Sequence, residues 1–120
     1  MFGKKETIGK IETIIAKGTK VEGDITSDGT IRVDGEILGH ILKATGVIVG
    51  KTGKVGGNLN AEDVAVGGEV SGNVTVLNTL ELFSTARVVG NIEAQTLSIQ
   101  EGAVLEGKCT VSKKIDTVLH

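Results

Sequence analysis

From Val21 onward, apolar residues alternate with others in short bursts, each burst centred on a glycine. A five-residue unit of the form apolar-x-Gly-x-apolar recurs six times. It reads Val21-Glu22-Gly23-Asp24-Ile25, Ile37-Leu38-Gly39-His40-Ile41 and Val55-Gly56-Gly57-Asn58-Leu59. It continues as Val70-Ser71-Gly72-Asn73-Val74, Val88-Val89-Gly90-Asn91-Ile92 and Leu105-Glu106-Gly107-Lys108-Cys109. The central glycines are 16, 18, 15, 18 and 17 residues apart. A companion apolar-x-apolar pair follows each of the first five: Ile31/Val33, Val47/Val49, Val64/Val66, Leu80/Leu82 and Leu97/Ile99. After the sixth unit only Val111 and Ile115 continue the pattern.

Period-two alternation marks half-buried strands, and glycine at this density opposes a helix. The inward set is odd-numbered from Val21 to Leu59, even from Val64 to Ala94, and odd again from Leu97. The two parity switches, near 60–63 and 95–96, fall between strand units, where a corner absorbs one residue. Internal repeats of this length predict a stacked solenoid. The expected fold is all-β: a single-domain right-handed parallel β-helix of about six coils, with a rise of about 4.8 Å per coil. Right-handed winding is favoured because the coils vary in length. Left-handed β-helices of the acyltransferase type keep a strict six-residue period. The expected organisation is a flexible amino-terminal tail at 1–13, a β-helix at 14–113 and a short carboxy-terminal tail at 114–120.

Composition fits a narrow interior of thin layers. The 120 residues include no Trp, Tyr or Pro, two Phe and 18 Gly, so Val, Ile, Leu and Ala must fill the core. Net charge is −2, and Arg32 and Arg87 are the two arginines. Without a basic stripe or aromatic stacking platforms, nucleic acid is not an expected partner. Cys109 is the single cysteine, which excludes an internal disulfide and suits a reducing cytosol. No apolar run exceeds three residues, too short for a membrane-spanning helix.

A β-helix has two end layers with unpaired backbone groups over apolar side chains, and such edges recruit other chains unless capped. The segments outside the repeats are short here. The expected polymerisation surfaces are Ile15, Val21 and Ile25 at one end, and Leu105, Cys109, Val111 and Ile115 at the other. End-to-end stacking repeats the coil-to-coil contact and predicts a homopolymer. Phe83, on a corner, is a candidate lateral contact.

These glycine-centred units, the run Ile31-x-Val33-Asp34-Gly35-Glu36-Ile37-x-Gly39 and the start Met1-Phe2-Gly3-Lys4-Lys5 resemble the bactofilins, the bacterial polymer-forming cytoskeletal family. The resemblance covers residues 1 to about 113. It implies a right-handed β-helical core, nucleotide-independent polymers, membrane association, and roles in cell shape or in positioning a cell-wall hydrolase or synthase. Family members often carry proline-rich tails, and this chain has no proline.

The same resemblance gives Met1, Phe2, Lys4 and Lys5 a membrane-targeting role. The expected place is the cytoplasm, peripheral on the inner leaflet of the cell membrane. Inserting Phe2 is worth about 1.5–3 kcal/mol, and each lysine near anionic lipid adds about 1 kcal/mol. The sum, about 3–5 kcal/mol, corresponds to millimolar-scale affinity for one protomer. Durable attachment therefore requires many tips on one polymer.

Catalytic chemistry is not expected. His40 and His120 are far apart, and no Cys/His cluster has zinc spacing. The glycines form no phosphate loop, so no nucleotide, metal or other cofactor is expected. Cys109 takes an inward slot and reads as a buried structural thiol. The acids Asp24, Asp28, Asp34 and Glu36 read as solubilising outer-face residues. The alternatives are a soluble β-helical binding module, which would usually show aromatic platforms, and an inactive relative of β-helical acyltransferases.

Overall fold

The computed structural model describes residues 11–117, with side chains from 13 to 112. Those residues form fifteen strands and no helix. Six short parallel strands make one sheet, in coil order: β2 (Lys20–Glu22), β5 (Glu36–Leu38), β8 (Lys54–Gly56), β10 (Glu69–Ser71), β12 (Arg87–Val89) and β14 (Val104–Glu106). The larger sheet has two runs. In the first two coils these are separate strands: β3 (Ile25–Thr26) and β6 (Ile41–Lys43) in the first run, β4 (Thr30–Val33) and β7 (Gly46–Val49) in the second. In later coils both runs merge into β9 (Leu59–Val66), β11 (Val74–Leu82), β13 (Ile92–Ile99) and β15 (Cys109–Thr117). Strand β1 (Ile11–Ile15) precedes the first coil and pairs with β4. The strands thus extend a few residues beyond the expected 14–113 core at each end.

The chain is a parallel β-solenoid of about six coils, as the repeats predict. Twisted parallel strands favour a right-handed sense for such crossovers. Each coil has three corners. A glycine corner links the small sheet to the first run, a bend separates the two runs, and a turn leads back to the small sheet. The turns come in two lengths. Four residues precede coils 1, 3, 5 and 6 (16–19, 50–53, 83–86, 100–103), and two precede coils 2 and 4 (34–35, 67–68). The longer turns close on themselves: Gly53 N–H donates to the Gly50 carbonyl at 2.8 Å and Ala86 N–H to the Phe83 carbonyl at 2.9 Å.

The bend varies by one residue. Ile41 to Gly46 takes one step more than Leu59 to Asp63, although both pairs stand in register. The shorter bend recurs in coil 5, between Ile92 and Thr96. Turn length and bend length together account for all five glycine spacings. The short bends are also the two parity switches, since losing one residue exchanges inward and outward faces. The inward residues stack in columns. One column, Ile31, Val47, Val64, Leu80 and Leu97, is buried throughout. Ala44, at a bend, joins the core against the surrounding parity.

Candidate polymerisation interface

The glycine corner shows why coils stack so closely. Gly90 has φ +142°, a conformation that L side chains rarely adopt. A Cβ there would also overlap the Gly72 carbonyl of the coil before. Space and dihedral thus both require glycine. Gly23 has φ +134°, yet nothing lies within 4 Å of its added Cβ. It belongs to the first coil, whose outer side carries no neighbour among the described residues.

The residue after each central glycine builds a polar ladder. His40 N–H donates to Asp24 Oδ1 at 3.0 Å, and Asn58 N–H donates to His40 Nδ1 at 2.8 Å. Asn73 N–H reaches Asn58 Oδ1, Asn91 N–H reaches Asn73 Oδ1, and Lys108 N–H reaches Asn91 Oδ1, at 3.0–3.1 Å. Each rung receives a bond from the next coil through its side-chain acceptor. A lysine ammonium has only donors, so Lys108 ends the ladder. The signal was visible as the polar residue following every central glycine; its meaning needed the coil register.

The sequence-expected polymerisation residues divide between two opposite ends. Among the described residues, strands β1, β2 and β3 have partners on one side only, as do β14 and β15. At the first end Ile15 is already buried at 6 % exposure, while Val21 and Ile25 are half-buried. At the last end Leu105 and Val111 are half-buried and Cys109 is exposed. The backbone of Ile115 pairs with Leu97; its side chain lies outside the described residues.

Cys109 corrects an expectation. Its backbone does stand beside Ile92, a core residue, but no further coil covers it among the described residues, so the thiol is exposed rather than buried. Partial desolvation pushes its pKa up, which disfavours the thiolate a nucleophile needs. Phe83 is half-buried at the turn, packed toward Gly67. Met1, Phe2, Lys4 and Lys5 lie outside the described residues.

Among the acids, Asp24 serves the ladder and Asp34 accepts from Arg32 Nε at 2.9 Å. No group of three His, Cys, Asp or Glu among the described residues is placed to hold a metal. No described helix is long and apolar enough to cross a membrane.

Among the described residues the fold is a parallel β-solenoid whose inward columns are half-open at Val21 and Ile25 on one side and at Leu105 and Val111 on the other. A family model for bactofilins, described as polymer-forming cytoskeletal, matches residues 13–110. The chain belongs to the bactofilin family. No curated protein and no solved structure matches it.

Proposed function

We propose that this bactofilin assembles end to end into nucleotide-independent filaments on the inner face of the cytoplasmic membrane, where they support cell shape or position cell-wall enzymes. One observation carries the assembly step. The same inward columns that are closed in the middle coils are half-open at Val21, Ile25, Leu105 and Val111. A docked copy supplies the missing layer, covering apolar surface and pairing free strand edges in one contact.

Membrane attachment rests on the amino-terminal residues Met1, Phe2, Lys4 and Lys5 and depends on the polymer, because one tip binds too weakly. Electron microscopy in nucleotide-free buffer tests assembly. Filaments are expected from the unaltered chain, and Leu105→Arg is expected to remove them while leaving the β circular-dichroism signal intact. A 12.4 kDa species that stays monodisperse at high concentration overturns the reading. For the membrane step, Phe2→Glu is expected to abolish co-pelleting with vesicles and spare the filaments.

A further inference from the structure

We propose that two copies associate side by side, with the turn edge of one rod against the bend edge of the next, level coil for coil. Charge signs on the two edges carry the proposal. At coil 1 the turn edge bears Lys17 and Lys20, and the bend edge bears Asp28. At coil 2 the signs reverse: Glu36 stands on the turn edge and Lys43 at the bend. Coil 3 reverses again, with Lys51 and Lys54 on the turn edge and Glu62 and Asp63 at the bend. Coil 5 sets Arg87 on one edge and Glu93 on the other. The turn before coil 6 holds Glu101.

Among the described residues none of these charges forms an ion pair inside one protomer. The second-run strands between the edges have four residues in coils 1 and 2, a span of about 13 Å, longer than the ~8 Å Debye length at physiological salt. Alternation along one edge has a local explanation, since like charges stacked one coil apart repel. That explanation leaves the phase of each edge free. Among the described residues the two edges run in opposite phase at all four coils charged on both, 1, 2, 3 and 5, the arrangement a neighbouring copy reads as complementary.

Shape agrees. The four-residue turns stand out as ridges, and the two-residue turns leave notches floored by glycine. Gly68 lies under the Gly50 and Gly53 carbonyls with no room for a Cβ. The notch between the ridges of coils 1 and 3 measures about 340 Å³, and that between coils 3 and 5 about 270 Å³. On the other edge, the exposed apolar residues Leu42 (49 %) and Leu77 (68 %) belong to coils 2 and 4, level with the notches. The partner is a second copy of this chain because both complementary faces are on it.

The lateral contact is separate from the end contact, and microscopy tells them apart: losing the end contact removes filaments, losing the lateral contact leaves single ones. At low salt the unaltered chain should form bundles or sheets that separate into single filaments as salt rises. Lys51→Glu with Lys54→Glu should give single filaments only, and so should Glu62→Lys with Asp63→Lys. The four changes together should restore bundles. Bundles that survive either double reversal, or a quadruple variant that stays single, overturn the proposal. It is also overturned if the Lys51/Lys54 reversal leaves bundling unchanged and abolishes only pelleting with phosphatidylglycerol vesicles, which would assign the basic turns to lipid.

Discussion

The middle and end coils share one backbone pattern, yet their equivalent residues have different surroundings. In the column that begins at Ile25, the inner members Ile41, Leu59, Val74 and Ile92 are 0–2 % exposed. Ile25 itself is half-buried and the last member, Cys109, is exposed. Nothing local distinguishes the ends; what differs is the presence of a neighbouring layer. In a quasi-one-dimensional fold, stability resides in the contacts between coils, and an end coil has one such contact instead of two. Covering a half-open Val, Ile or Leu returns about half of the ~1.5–3 kcal/mol that full burial is worth. Association costs on the order of 4–15 kcal/mol, so strand pairing at the ends must add to the apolar gain, and assembly should depend on protein concentration.

The contrast breaks most visibly in the core column. Leu59→Ala should cost about 2–5 kcal/mol, as large-to-small changes in closed cores do. Ile25→Ala, one end of the same column, should cost about 1 kcal/mol or less in the monomer. Urea unfolding of both variants under non-polymerising conditions checks this; equal losses would mean the end layer is as closed as the middle.

A smaller difference is expected at the glycine corner. Gly23→Ala meets only the backbone penalty of its positive φ, about 1–2 kcal/mol. Gly90→Ala meets that penalty and the Gly72 carbonyl as well, which adds about 1–3 kcal/mol of overpacking. Thermal melts of the pair should therefore rank Gly90→Ala clearly lower.

The smallest effect concerns the ladder. His40→Ala removes the acceptor for Asn58 N–H and should cost about 1 kcal/mol. His40→Asn supplies the amide oxygen that the neighbouring rungs use and should cost little. Two equal losses would show that His40 contributes by packing rather than as a rung.

Much of this was legible in the residues. Val21 to Ile25 and its five repeats announce strands around a glycine corner, and alternation names the core because a strand has only two faces. The parity switches were readable as well, since one missing residue in a bend must invert the sides. The ladder was not, because Asp24, His40 and Asn58 are 16–18 residues apart and meet only once the coils are in register. Cys109 misled for a related reason: alternation reports which way a side chain points, while its burial depends on a further layer, and none covers it among the described residues. The opposite phase of the turn and bend charges likewise emerges only when each residue has been assigned to a coil.

The open end is tested most directly at Cys109, a thiol that lies in the end layer and is the only cysteine in the chain. Its rate of maleimide labelling should be high in dilute protein, fall several-fold as filaments form, and recover in Leu105→Arg. A labelling rate that stays constant through filament formation would contradict end-to-end stacking through this layer.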